Sequence, residues 1–137
     1  MLDTNVVLDV VVFDDPGAHG LKAAIESGRV RPQASAETLA ELRRVLAYPE
    51  FELDEARQSL AYDCYASRCE VLDTPSPSPL LPRCHDADDQ KFLDLAWAAQ
   101  ASHLVTKDRA LLKLTKRIAR LGRFLVTSPT DLRLPEA

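Results

Sequence analysis

The chain begins with Met1-Leu2-Asp3-Thr4-Asn5-Val6-Val7-Leu8, in which two apolar residues lead to three polar ones and then to a second apolar run. In a parallel α/β protein this pattern is typical of the point where a strand ends and its helix begins, since Asp, Thr and Asn are good helix N-caps. Ligands of such folds bind at the carboxyl ends of the strands. Asp3 is therefore a candidate metal ligand if other acids reach the same edge. Only Met1 and Leu2 precede it, so we expect either a minimal first strand or a translation start further upstream.

Strand-like and helix-like stretches alternate along the rest of the chain. After the strand end at Asp3 we predict strands at 30–34, 70–72, 103–106 and 123–127, and helices at 6–13, 19–26, 36–46, 54–67, from 86 or 88 to about 101, 109–114 and 116–121. This alternation predicts an α/β fold, a three-layer α/β/α sandwich with a mostly parallel central sheet of four to five short strands. A length of 137 residues fits a single domain over 1–137.

Four acidic residues fall where such a fold would bring them to one edge of the sheet. Asp3 and Asp108 follow strand ends, Asp89 lies in the first turn of a helix, and Glu41 lies inside the helix after the second strand. Mg²⁺ and Mn²⁺ prefer oxygen ligands, and carboxylates that hold them can activate a water for phosphodiester hydrolysis. The four acids therefore predict a metal site.

The other acids near these positions receive different assignments. In Asp86-Ala87-Asp88-Asp89 one acid must cap the helix, and we assign that role to Asp88. We assign Asp89 as the metal ligand. Asp86 is either a further residue of the site or a surface charge. We expect Asp9, Asp14 and Asp15 to be surface charges.

Several other kinds of protein are excluded or disfavoured by what the sequence lacks. It contains no G-x-S-x-G elbow and no G-x-x-x-x-G-K-[ST] phosphate loop, and its three cysteines have no C-x-x-C spacing of the kind that holds zinc. No apolar run approaches the roughly 18 residues of a membrane span, and no signal-like segment opens the chain, so we expect a cytoplasmic protein with no membrane partner.

The net charge of −4 gives no overall basic footprint for nucleic acid, although an acidic metal site lowers the net charge without excluding that partner. Six Lys or Arg residues nevertheless lie within 107–120, beside the predicted site. They are either a solvated helix face or a rim that binds phosphates, in which case nucleic-acid binding would weaken with salt.

Four blocks in this order resemble PIN-domain proteins, and in particular the VapC-like ribonuclease toxins of toxin–antitoxin systems. The blocks are Leu2-Asp3-Thr4-Asn5-Val6-Val7, residues 37–46 around Glu41, Cys84-His85-Asp86-Ala87-Asp88-Asp89-Gln90-Lys91-Phe92-Leu93, and Val105-Thr106-Lys107-Asp108-Arg109-Ala110-Leu111-Leu112. The resemblance covers residues 1 to about 128.

The resemblance implies a metal-dependent endoribonuclease that uses Mg²⁺ or Mn²⁺ and acts as a toxin. Asp3, Glu41, Asp89 and Asp108 match the family's metal-site positions, which are also its catalytic positions. Asn5 and Thr106 match polar supporting positions, and Asp86 matches an additional acid.

The resemblance also implies partners, and the chain departs from the family in places. RNA is the implied substrate and a small antitoxin protein the implied partner, while the apolar stretch 10–13 and the helix from Leu21 are candidate surfaces for the antitoxin or for a homodimer. His85 stands where the family often has Arg, Lys107 stands where a small residue is usual, and the first strand is clipped. Lys107 is placed to pair with a phosphate or with the acidic cluster.

Two alternatives belong to other functional classes. A catalytically inactive PIN-like module that binds RNA or protein would have lost a site acid, and all four are present. A phosphatase with an aspartate nucleophile would need a second acid two residues after Asp3, and that position is Asn5.

Overall fold

The computed structural model describes residues 1–134 and contains seven α-helices and four three-residue β-strands within them. The helices are α1 Thr4–Val11, α2 His19–Glu26, α3 Ala36–Leu46, α4 Glu55–Ala66, α5 Ala87–Ala98, α6 Arg109–Leu112 and α7 Thr115–Leu121. The strands are β1 Gln33–Ser35, β2 Glu70–Leu72, β3 His103–Val105 and β4 Leu125–Thr127.

All strand pairing within the described part of the chain is parallel. β1 pairs with β2, and β3 pairs with β4, with Ser35 opposite Leu72 and Val105 opposite Thr127. The first strand is reduced to a single parallel bridge between Leu2 and Val105. Helices connect the parallel strands, which confirms the α/β class. The predicted single sheet of four to five strands is not confirmed, because the strands form two separate two-stranded sheets.

Two apolar clusters lie against these strands. One contains Leu2 and Val105 with the inner faces of α1 to α4, and the other contains Met1 and Leu104 with α5 to α7. Successive residues of a strand point to opposite faces, so neighbouring residues here enter different clusters. The bridge at Leu2 is thereby held from both sides, and Asp3 follows it directly.

Local sequence signals explain where α3 and α4 begin. Ser35 caps α3 in a reciprocal pair with Thr38, and Asp54 caps α4 by accepting a hydrogen bond from the Arg57 amide. The predicted bounds of α2, α3 and β2 are confirmed. The prediction that α5 reaches about 101 is wrong, because the helix ends at Ala98 and Gln100 adopts a left-handed backbone with φ of 55°.

The candidate docking surfaces predicted from the apolar pattern are wrong in part. Val10, Leu21 and Ile25 are buried in the core of the chain itself, so α2 has no apolar face free for a partner. Only Phe13, at the end of the 10–13 stretch, is about half exposed, and its ring packs edge-on against Phe51.

Candidate functional site

Asp3 lies at the junction of the Leu2 bridge and α1 and is almost completely buried. Its amide donates to the carbonyl of Val105 at 3.0 Å, which fixes the backbone on β3. The Thr106 hydroxyl donates to Asp3 Oδ2 at 2.7 Å. Burial raises the pKa of Asp3, the hydrogen bonds from Thr106 and from the backbone of Thr4 oppose this, and the charges of Asp108 and Glu41 raise it further. Asp3 therefore belongs to an acidic cluster with both of these residues.

Thr106 connects Asp3 to Asp108. The threonine is fully buried, and its hydroxyl oxygen also accepts a hydrogen bond from the Asp108 amide at 2.9 Å. Asp108 in turn caps α6, with Oδ1 accepting from the Ala110 amide at 2.7 Å. A single hydroxyl thus sets the relative position of two of the predicted metal-site acids.

Asp89 points from the first turn of α5 toward the same centre. Burial, the neighbouring carboxyl group of Asp108 and the charge of Asp3, in this order of size, together raise the pKa of Asp89 to about 7. Asp89 Oδ2 is buried, and no hydrogen-bond partner for it lies within residues 1–134. A buried carboxylate oxygen without a partner is costly, which makes this atom a natural place for a cation.

Glu41 reaches the cluster from the middle of α3 and has two partners of its own. The hydroxyl of Thr4 donates to Oε2, and the ammonium of Lys91 lies 2.9 Å from Oε1. The structure therefore brings all four predicted acids into one electrostatic neighbourhood, with Asp3 linked to both Asp108 and Glu41, and Asp89 linked to Asp3 and Asp108.

The two further predicted residues, Asn5 and Asp86, lie at the margin. The side chain of Asn5 is exposed in the first turn of α1. Asp86 is the N-cap of α5, with Oδ1 accepting from the Asp88 amide at 2.9 Å, and its charge contributes to the raised pKa of Asp89. The prediction that Asp88 caps this helix is therefore wrong, because the helix begins two residues earlier than that assignment requires.

Another prediction that fails concerns Asp9. It is expected on the surface, yet it is buried on α1, where its carboxylate pairs with the Lys107 ammonium at 2.5 Å. Lys107, which is expected to face a phosphate or the acidic cluster, instead ties the end of β3 to α1. The pairing is hidden in the sequence because the two residues are almost a hundred positions apart.

Sequence reasoning also missed Thr4 and Lys91. In the sequence Thr4 reads only as part of a helix cap, and Lys91 only as part of a family block, although both contact Glu41. A signal existed for Lys91, since it is the single basic residue of α5. Its partner could not be inferred, because that partner lies on α3.

The cluster fits a divalent cation held through few protein ligands. Within residues 1–134, no group of three or more acidic, His or Cys side chains is close enough to enclose an ion. Mg²⁺ keeps several waters and is usually bound by one or two carboxylates, so a dense cage is not required. The unpartnered oxygen of Asp89, beside Asp108 and Asp3, supplies the matching donor chemistry.

A cavity of about 430 Å³ adjoins the cluster on the side of Lys91. Its wall is built from the start of α3 at Ser35 and Glu37, from Thr74, Pro75 and Pro77, and from Arg83, Cys84, Ala87, Gln90, Lys91 and Asp94 before and on α5. It therefore offers room beside the acids and carries both positive and negative groups.

These features, an α/β fold with acids gathered where parallel strands end, define the class of the protein. A family model described as PIN domain matches residues 1–110, and the chain belongs to the PIN-domain family. No curated protein and no solved structure matches the chain. PIN domains are generally nucleases, so the family membership supports a nuclease-type function and nucleic acid as the partner.

In the part of the chain that the structure describes, no helix has both the length and the apolar character needed to cross a bilayer.

Proposed function

We propose that this protein is a divalent-metal-dependent endoribonuclease that hydrolyses RNA phosphodiester bonds. The observation that carries the proposal is Asp89, whose pKa is raised to about 7 beside Asp108 and Asp3 and whose buried Oδ2 has no partner in the described residues. A bound cation would offset the repulsion between carboxylates held this close together.

In this proposal Asp3, Glu41, Asp89 and Asp108 are the catalytic residues and form the site for Mg²⁺ or Mn²⁺, in which one or two of the carboxylates would bind the ion directly and the others would act through water or by their charge. The bound ion would activate a water and stabilise the leaving oxygen of the phosphodiester. Thr106 orients Asp3 through the 2.7 Å hydrogen bond and receives the amide of Asp108, so it keeps two acids in register. A bound cation would favour the deprotonated form of Asp89.

Asn5 and Asp86 have supporting roles at the rim. Asn5 is exposed beside Asp3 and is available to substrate, and Asp86 adds negative charge near Asp89 while it caps α5. Neither residue contacts the centre as directly as Thr106 does.

We infer that the two sheets are halves of one mostly parallel layer in a three-layer α/β/α sandwich, and that residues 1–137 form one PIN nuclease domain. The inference is supported by the alternation of Met1 and Leu2, and of Leu104 and Val105, between the two apolar clusters. The Leu2 bridge adds the start of the chain, in parallel, to the edge of β3.

The biological role that we propose is that of a cytoplasmic toxin held inactive by a small antitoxin protein, with a homodimer as its assembly. The support is the resemblance of the four sequence blocks to VapC-like toxins. Expression of the wild-type protein in a bacterial host is expected to arrest growth. Expression of the Asp3→Asn variant in the same host is expected to leave growth unaffected. Growth arrest by both forms at equal protein levels would contradict the toxin role.

A catalytically inactive PIN-like binding module is the competing function, and one observation favours it. The Lys91 ammonium pairs with Glu41, so a side chain of the protein already supplies a positive charge where a metal ion would supply it. Calorimetric titration with Mn²⁺ separates the two, because the nuclease is expected to bind Mn²⁺ and the inactive module is not.

The activity itself is tested with two internally labelled strands of the same sequence, one RNA and one DNA. With Mn²⁺ we expect internal cuts in the RNA that chelator abolishes, and little cutting of the DNA. Equal cutting of both strands would show that the protein is a general nuclease and not a ribonuclease. Release of single nucleotides from one end would show that it is an exonuclease and not an endonuclease.

A further inference from the structure

Lys91 is a positive charge inside a negative cluster. Its ammonium lies 2.9 Å from Glu41 Oε1 and donates to the carbonyl of Asp88, and its side chain and that of Glu41 are only 14% and 15% exposed. The ring of Phe92 lies 5.1 Å from the ammonium and covers it further. Covering an ammonium group costs free energy unless an acid pairs with it, and Glu41 is that acid here.

Lys91 and Thr4 together engage both carboxylate oxygens of Glu41. Thr4 holds Glu41 Oε2 and Lys91 holds Oε1, so neither oxygen of Glu41 is free. Asp89, by contrast, has a buried oxygen with no partner among residues 1–134. Within the described residues, the Lys91 ammonium thus supplies a positive charge to Glu41, whereas Asp89 Oδ2 has no such partner.

Lys91 also has space into which it can move. Its side chain lines the cavity of about 430 Å³ between α3 and α5, and Arg83 and Asp94 line the same cavity. Rotation about the flexible lysine stem would carry the ammonium from Glu41 into this cavity without rearrangement of the backbone.

We propose that Lys91 is a tethered counter-ion that holds Glu41 in the metal-free protein and competes with the divalent cation for that carboxylate. The proposal rests on the metal site of the proposed function. Lys91 is therefore a positioning residue, which acts through Glu41, and it lowers the affinity of the site for metal. When an ion is bound at Glu41, the ammonium would move toward the cavity that Lys91 lines.

The test is calorimetric titration of the full chain with Mn²⁺, for wild type, Lys91→Met, Lys91→Gln and Lys91→Arg. Lys22→Met is the matched control, because Lys22 forms an exposed ion pair with Asp14 outside the cluster. Removal of a charge that lies about 3 Å from a ligand oxygen is expected to tighten Mn²⁺ binding at least about tenfold in the Met and Gln variants. The Arg variant, which keeps the charge, and the Lys22 control are expected to bind like wild type.

Thermal unfolding in chelator supplies the readout that does not depend on metal. Lys91→Met and Lys91→Gln are expected to melt below Lys22→Met without metal, and to gain more in melting temperature on addition of Mn²⁺ than wild type gains. A static structural ion pair would lower the melting temperature but leave the Mn²⁺ affinity unchanged.

The outcomes separate this inference from the proposed function. If wild type binds Mn²⁺ as tightly as Lys91→Met and Lys91→Gln do, or more tightly, the competition is overturned and the proposed function is not. Binding by the variants but not by wild type supports the counter-ion and overturns the nuclease role of the native chain. Absence of binding in every protein overturns both.

Discussion

At the scale of single residues, the hydroxyl of Thr106 has the largest structural consequence in the site. It donates to Asp3 Oδ2 and accepts from the Asp108 amide, and it is fully buried. Replacement by valine keeps the shape of the side chain but leaves a carboxylate oxygen and an amide without their partner.

We therefore expect Thr106→Val to lower the free energy of unfolding by about 1–3 kcal/mol, the usual cost of buried groups left unsatisfied. Urea unfolding in chelator measures this change. Thr130→Val is the control, because the hydroxyl of Thr130 is exposed and is expected to cost less than about 0.5 kcal/mol. Equal stability of wild type and Thr106→Val would show that the hydroxyl does not fix the acids.

The raised pKa of Asp89 gives a prediction for the dependence of stability on pH. The pKa of Asp89 is about 7 in the folded protein, and its usual value is 3.8. At a pH between these two values, the folded protein keeps a proton on Asp89 that the unfolded chain has released. The stability due to this proton is fully present below about pH 4 and is lost as the pH rises through 7. In metal-free protein, Asp89→Asn is expected to reduce this loss and to be more stable than wild type at pH 8.

Urea unfolding at a series of pH values from 4 to 8, in chelator, provides the measurement. Asp131→Asn is the control, since Asp131 is exposed at the surface. Parallel stability curves for wild type and Asp89→Asn would contradict the assignment of the buried proton to this carboxyl group.

At the scale of elements, Asp86 combines two roles that substitution can separate. It caps α5, and its charge acts on Asp89. Asp86→Ala is expected to cost about 1 kcal/mol through loss of the cap, whereas Asp86→Asn keeps a good capping group and is expected to be nearly neutral for folding. Chemical denaturation of the two variants measures the difference. A loss of stability that is the same for Asn and Ala would show that the charge, not the cap, matters.

The elements also show how far local sequence predicts this fold. The bounds of α3 are predictable because Ser35 caps it and a proline follows soon after its end, and both signals are local. The strand end at Asp3 is also predictable from its local pattern. The partner of Leu2 and the division of the strands into two sheets are not, because they depend on pairing between residues far apart in the chain, as Leu2 and Val105 are. The site acids can be found from the sequence because they lie in family blocks and near strand ends. The roles of Lys91 and Asp9 cannot, because their partners lie on elements that are distant in the sequence.

At the scale of the whole molecule, the acidic cluster is accompanied by a group of exposed cations. Arg109, Lys113, Lys116, Arg117 and Arg120 are exposed in the segment that forms α6 and α7, immediately after Asp108. None of these five forms an ion pair with an acid of residues 1–134. A surface of this kind can attract a phosphate backbone although the net charge of the chain is −4.

We expect the double variant Arg109→Gln with Lys113→Gln to bind single-stranded RNA more weakly and with less dependence on salt. Removal of one phosphate-binding cation lowers the slope of log affinity against log salt by about 0.7, so the slope is expected to fall by about 1.4 for the pair. Fluorescence anisotropy in a salt series, with chelator present, measures it. Arg57→Gln with Arg133→Gln removes two exposed cations elsewhere, and an equal effect of that pair would show that net charge alone governs binding.

The central claim is that the four acids form one metal-dependent catalytic centre, and the time course of RNA cleavage with Mn²⁺ by wild type and Asp3→Asn tests it most directly. Asn keeps the size of Asp3 and can still accept the hydrogen bond from Thr106, while the charge is lost. We predict that wild type cleaves, that chelator stops it, and that the folded Asp3→Asn variant is slower by at least about a hundredfold, in line with the loss of a main electrostatic contribution to catalysis. Cleavage at equal rates by the two proteins, or cleavage that persists in chelator, would contradict the claim.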